Sequence, residues 1–294
     1  MLTMIPKEIL QKIQKIHIRT SYLVNDMFAG EYESAFRGRG MEFEEVREYM
    51  PGDDIRDIDW NVTARMGHPY IKLYREEREL TIMLLVDVSS SGLFGTVKQL
   101  KNELAAELAS VLAFAAIKSN DKVGLVIFSD HVERYIPPKK GRSHVWRVIK
   151  EVLEHQPRST GTDIGAALNY LNTVCRRRAV VFLISDFIAR GYETALRITN
   201  KKHDVIAINI TDPRERELPG VGMVALEDAE TTETLLIDTT DEQVRKAYRL
   251  LAEEKFQQRL STFKAAHIDY IDIRTDMPYI DTLLKFFRMR EKRL

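Results

Sequence analysis

Cysteine is almost missing from this chain: Cys175 is the single one in 294 residues. That excludes an intramolecular disulfide framework and fits a reducing compartment. Long apolar runs are missing too. The longest strongly apolar helical stretch lies around Ser110 to Ile117, far short of the roughly 20 residues that span a bilayer. The stretch Met1 to Lys15 interleaves Lys and Gln with isoleucines, so it lacks the unbroken apolar segment of a signal peptide. Neither charge predominates, since Lys plus Arg and Asp plus Glu both number 44, and no global field favours nucleic acid or a membrane surface. The 7 histidines are scattered without metal-ligand spacing. No Gly-x-x-x-x-Gly-Lys-Ser/Thr phosphate loop occurs, so any ATP hydrolysis belongs to a partner. These absences predict a cytoplasmic protein with no transmembrane segment and no nucleic-acid partner.

What is present is an ordinary globular composition, 44% hydrophobic, enough for the core of one large α/β domain with additions or of two modest domains. Ile5, Ile9, Ile13, Ile16, Leu23 and Met27 form one stripe of a helical wheel, predicting an amphipathic helix from about Ile5 to Met27 docked on the body of the protein. From Ala29 to Glu79 the chain is rich in charge and turn residues, among them Pro51-Gly52-Asp53-Asp54 and Gly67-His68-Pro69. Short alternating pieces such as Tyr70 to Tyr74 make it read as a small β-rich addition. We therefore divide the chain into 1–79 and 80–294.

The run Leu80 to Val86 is branched and apolar without polar alternation, as in a strand covered on both faces. A helical stripe from Val97 to Ala115 and a strand Val123 to Phe128 complete a βαβ unit. A strand Val132 to Ile136 follows, then helices at about Ser143 to His155 and Thr162 to Cys175. After them come the strand Ala179 to Ser185, a helix near Tyr192 to Asn200 and the strand Val205 to Ile210. Alternating strands and helices predict a doubly wound, mostly parallel sheet. Met223 to Glu227 and Thr234 to Ile237 flank Asp228 to Thr232 like the arms of a hairpin, an insertion near 221–238. A helix from about Asp241 to Ala265, the strand Tyr270 to Ile273 and a helix from about Tyr279 to Arg290 end the pattern. The basic stretch Lys285 to Leu294 reads as a solvated helix end with cations near its C-terminal dipole. Cys175 reads as a packed helix residue.

Asp87, Ser89 and Ser91 place one carboxylate and two hydroxyls at the mouth of the first buried strand, where ligands bind in such sheets. Hard oxygen donors of this kind suit Mg2+ or Mn2+, and a single carboxylate leaves the ion underneutralised and open to an acidic partner group. Alone, Asp-x-Ser-x-Ser is weak, because Ser or Asp after a strand commonly only caps the next helix. Two further signals reach the same sheet edge: Thr162 starts a predicted helix after Gly161, and Asp186 directly follows the strand that ends at Ser185.

At these positions the chain resembles the von Willebrand factor A domain, whose metal-ion-dependent adhesion site combines Asp-x-Ser-x-Ser with a later Thr and a later Asp. The resemblance implies that Ser89, Ser91 and Thr162 offer hydroxyl oxygens to the ion, Thr162 directly or through water, while Asp87 and Asp186 hold its bound waters. It also implies a partner that donates an acidic side chain. The preceding segment carries Arg37-Gly38-Arg39-Gly40, Glu44 to Tyr49, Pro51-Gly52-Asp53-Asp54-Ile55-Arg56-Asp57-Ile58-Asp59-Trp60, Ala64-Arg65 and Lys72 to Glu77. From Arg37 onward this is similar to the bacterial family DUF58, which joins such a segment to a von Willebrand factor A domain. Its members are typically associated with AAA+ ATPases of the MoxR type, implying a role in assembling or activating other proteins.

Read without the family, Asp53, Asp54, Asp57 and Asp59 invite comparison with a calcium loop, but the EF-hand alternation and terminal Glu are absent. A carboxylate-rich turn paired with Arg56 and Arg65 is the better reading, with Trp60 as a packing anchor. The competing function is a Mg2+-dependent hydrolase acting on phosphoryl groups. Phosphatases of the haloacid dehalogenase type need a second Asp two residues after the first, and here that position is Ser89, which cannot act as the same acid. Receiver-type phosphoacceptors gather several carboxylates, and Val88 to Ser91 has none. The expectation is a metal-dependent interaction module, not an enzyme.

Overall fold

In the computed structural model, residues 26–36, 41–76, 79–97, 99–157, 159–227 and 233–293 are described. All of the helix predicted from Ile5 to Met27 except Asp26 and Met27, the Arg37 to Gly40 motif and the turn Asp228 to Thr232 lie outside them.

The branched apolar run forms strand β3 (Thr81–Asp87) at the middle of a six-stranded sheet. Its neighbours are β4 (Lys122–Phe128) on one side and β6 (Val180–Ser185) on the other, both parallel to it. Beyond β6 come β7 (Asp204–Thr211) and β10 (Asp269–Arg274), also parallel, while β5 (Val132–Lys139) closes the opposite edge antiparallel to β4. The expected doubly wound, mostly parallel α/β class is what the structure shows. The antiparallel edge needs only a short connection from β4, whereas a parallel partner would require a full crossover.

Side chains of β3 alternate between two buried layers, as a strand of period two must. Ile82, Leu84 and Val86 face a core shared with α1 (Asp26–Phe36), α3 (Lys101–Lys118), α4 (Arg142–Glu154) and α9 (Ile280–Glu291). Met83 and Leu85 face a second core built with α5 (Ile164–Val174), α6 (Glu193–Lys202) and α8 (Glu242–Ala265). Burial on both faces explains the absence of polar alternation in the strand.

Several expectations are corrected. The segment read as a small β-rich addition begins with the helix α1, whose Phe28, Tyr32 and Phe36 recur every fourth residue and are buried. The β1 (Met41–Glu48) and β2 (Tyr70–Glu76) ribbon follows, with a 3-10 turn (Ile55–Asp57) and the short helix α2 (Trp60–Met66) between its strands. Trp60 is 67% exposed and so is not a packing anchor. It opens α2 behind Asp59, whose carboxylate accepts from the N–H groups of Asn61 and Val62. The Asp-rich turn is ion-paired as expected for Arg56, which meets Asp54 at 2.7 Å, and Asp53 takes Arg47 at 2.7 Å.

The basic C-terminal stretch is not simply solvated. Arg290 is buried between Asp204 and Asp269, Arg293 also reaches Asp269, and Arg288 pairs with Glu31 of α1. The hairpin forms from β8 (Met223–Glu227) and β9 (Thr234–Asp238) as read from the sequence. Cys175 is buried at the end of α5, where burial raises its thiol pKa.

Candidate metal centre

Asp87 is the last residue of β3, and the chain leaves the sheet through Val88 into a 3-10 turn (Ser90–Leu93). This turn is held from both sides. Asp87 Oδ1 accepts from the Ser89 N–H at 2.9 Å, and both the N–H and the hydroxyl of Ser90 donate to the Thr160 carbonyl, at 3.1 and 2.7 Å. The turn sits close against α3: a Cβ at Gly92 would lie 1.6 Å from Asn102 Oδ1, so a larger residue here would displace the Asn102 side chain.

The adjacent strand β6 ends opposite Asp87. Ser185 donates its hydroxyl to Asp87 Oδ2 at 2.6 Å and accepts the Phe187 N–H at 3.1 Å. Asp186 follows, with Oδ1 accepting from the Ile188 N–H at 3.2 Å. Asp87, Ser89, Ser91 and Asp186 thus line one small recess, about 10 Å³ and so sized for about one water. Thr162 does not line it. Helix α5 starts later than expected, at Ile164, with the Asp163 carboxylate capping it through the Ala166 N–H at 2.8 Å. Thr162 sits in the preceding loop, which Thr160 ties to Ser90.

Ser185 and Lys101 also line the recess, and Glu215 joins it through Lys101. Ser185 lies inside the strand pattern and carried no separate signal. Lys101, the first residue of α3, is 3% exposed and sends its ammonium to Asp186 Oδ2 at 2.7 Å and to Glu215 Oε1 at 2.5 Å. Burial alone would lower the pKa of this ammonium, but Asp186 and Glu215 together raise it above the ordinary lysine value. Glu215 is positioned by α7 (Pro213–Arg216), where it accepts from the Asp212 N–H at 2.9 Å. Asp212 accepts in turn from Arg214, Thr96 and Thr275. The Asp212-Pro213-x-Glu215 spacing is a helix-start signature readable from sequence, but its link to the metal recess is not.

The donor set fits a small divalent ion. Ser89 Oγ and Ser91 Oγ share a hydrogen bond at 3.0 Å, a separation that also equals the roughly 3 Å edge between adjacent ligands of an octahedron with Mg–O bonds of about 2.1 Å. Both oxygens of Asp87 and both of Asp186 already accept from protein donors, an arrangement suited to orienting bound water rather than direct ligation. Burial pushes the Asp87 carboxyl above its ordinary pKa and the neighbouring Asp186 carboxylate adds to the rise. A nearby cation favours the ionised form of such a carboxyl. Among the described residues no group of three His, Cys, Asp or Glu side chains is placed to hold a metal, so an ion here would rest on hydroxyl oxygens.

A doubly wound sheet carrying a polar recess at the carboxyl ends of its strands defines the class. The chain belongs to the family described as Protein of unknown function DUF58, whose model matches residues 45–258. Uncharacterized protein Rv1480 of Mycobacterium tuberculosis is 29% identical to it over 95% of this chain and 89% of its own length. An aerotolerance-related membrane protein from Bacteroides fragilis aligns with 73% of this chain and 100% of its own, at 19% identity and a TM-score of 0.48. The SpRpn10 VWA domain aligns with 70% of this chain and 93% of its own, at 8% identity and a TM-score of 0.39. Among the described residues no helix is long and apolar enough to cross a membrane.

Proposed function

We propose that this protein is a cytoplasmic, metal-dependent protein-interaction module that acts by binding and not by catalysis. In this reading Ser89 and Ser91 hold Mg2+ or Mn2+, Thr162, outside the recess, joins only through water, and Asp87 and Asp186 orient the remaining waters. A bound ion supplies an open coordination position with positive charge, which suits an Asp or Glu side chain of a partner. The observation that carries the proposal is the pair of serine hydroxyls, spaced like adjacent octahedral ligands, beside two buried carboxylates.

The surroundings support a binding role. Leu93, Phe94 and Val97, on the loop after Ser91, and Ile188, two residues after Asp186, are all exposed large apolar side chains. Exposed apolar side chains gathered on the segments that carry a site suit an interaction surface. The partner we propose is a MoxR-type AAA+ ATPase, with assembly or activation of other proteins as the outcome, on the strength of the family resemblance in the sequence.

The test is binding of the purified ATPase to wild type and to Asp87→Ala, each in Mg2+ and in excess chelator. Asp87→Ala and chelator should weaken the complex to a similar degree without adding, because both delete one interaction. Equal binding in all four arms would move recognition away from the recess. A parallel calorimetric titration should show metal binding by wild type and its loss in Ser89→Ala/Ser91→Ala.

A further inference from the structure

Lys101 is in an unexpected place for a buried cation. It occupies the first turn of α3, where the helix dipole disfavours positive charge, and it is almost fully removed from water, which is costly for an ammonium without partners. Lys101 lines the metal recess, and its ammonium is held by Asp186 at 2.7 Å and by Glu215 at 2.5 Å. Glu215 is itself fixed by the cap of α7, so the ammonium is clamped from two sides. Asp87 and Asp186, which line the recess, and Glu215, which reaches Lys101 from α7, set three carboxylates against this one ammonium, a surplus of two negative charges. That surplus equals the charge of a single divalent ion.

We propose that Lys101 is a resident counter-cation of the metal centre, sharing Asp186 with the divalent ion and setting its affinity low. The inference rests on the metal-binding reading above and deepens it. With Lys101 in place, the loaded recess is neutral and an incoming carboxylate meets no net repulsion. Without Lys101, the recess holds the ion more tightly and receives an acidic partner group less readily. The alternative is that Lys101 is purely structural, an ion pair fastening the start of α3 to β6 and α7.

Mn2+ titration by calorimetry and by loss of the free-ion paramagnetic resonance signal separates these. Lys101→Met should bind Mn2+ about tenfold or more tightly than wild type, the order expected for removing a unit charge beside a divalent ion. Glu215→Gln should do the reverse, since it removes a negative charge and leaves Lys101 wholly on Asp186. Mn2+ should also raise the melting temperature of Lys101→Met more than that of wild type. Glu215→Gln keeps the question answerable if Lys101→Met fails to fold. Should Ser89→Ala/Ser91→Ala abolish Mn2+ binding while Lys101→Met leaves the affinity unchanged or lower, the counter-cation role is refuted and the metal centre stands. Mn2+ binding by Glu215→Gln as tight as that of wild type would refute the role equally. Absence of Mn2+ binding in wild type and Lys101→Met alike would remove the metal reading and this inference with it.

Discussion

Ser185 shows how much one hydroxyl can decide at this site. It donates to Asp87 Oδ2 and accepts from the Phe187 N–H, and it is buried. Ser185→Ala leaves a buried carboxylate oxygen and a buried amide each short of a partner, a loss of about 1–3 kcal/mol. The urea midpoint should fall accordingly, with the slope of the transition unchanged. Ser185→Ala should also weaken Mn2+ binding, because Asp87 loses one of the two donors that fix its orientation. A variant with wild-type stability would show that Asp87 is held by its other contacts.

Between elements, the docking of α1 against α9 is the contact to test. Phe28, Tyr32 and Phe36 pack around Phe287 with ring centroids 5.5, 5.8 and 6.0 Å away, and all four rings are buried. The helix preceding the ribbon is thereby part of the α/β core. Tyr32 adds a hydrogen bond to Asp121, which also accepts from the Leu80 N–H at the entrance to β3. Phe287→Ala should cost about 3–5 kcal/mol, the range for an aromatic removed from a close-packed core. Chemical denaturation of the full chain measures this. A cost below about 1 kcal/mol would mean that α1 is not held through this cluster.

At the scale of the whole molecule, the fold should survive removal of the metal, and its stability should depend on pH. The sheet is sandwiched by two apolar layers, each buried Val, Leu, Ile or Phe contributing roughly 1.5–3 kcal/mol. Chelator should therefore leave far-ultraviolet dichroism unchanged, and a loss of signal would make the ion structural. Two buried groups shape the pH dependence in opposite senses. Burial raises the Asp121 carboxyl to about 7, so the folded state keeps a proton that the unfolded chain has released. Its stabilising effect is complete below the ordinary value of 3.8 and is lost as pH rises through about 7. His203 is lowered to about 4, by burial first and then by Lys202 and Arg178. Its neutral Nδ1 accepts the Ala179 N–H at 3.2 Å. That contribution is present above 6.5 and is lost as pH falls toward 4. Asp121→Asn, which mimics the protonated acid, should remove only the first effect. Relative to wild type its stability should climb between about pH 5 and 7, by up to about 1.4 kcal/mol per pH unit. Parallel pH profiles for the two proteins would refute the assignment.

The strands β3, β4, β6 and β7 were legible because a strand buried on both faces must be apolar throughout, a property of sequence alone. Asp87 and Asp186 were legible as neighbours for a related reason: each ends or follows such a strand, and parallel strands bring their carboxyl ends to one edge. The helix α1 was hidden because its aromatic stripe is embedded among acidic residues and a glycine, and only packing on Phe287 shows which face is buried. Thr162 looked like a helix start because Gly161 precedes it, but the Asp163 carboxylate is the actual cap. Lys101 and Glu215 are far apart in the chain, and the helix-start pattern that contains Glu215 gives no sign that it meets Lys101. Local periodicity is enough to give the class of sheet and the edge at which polar residues gather. Tertiary structure alone decided that an ammonium joins those carboxylates, because pairing across distant elements depends on where the folded backbone places their ends.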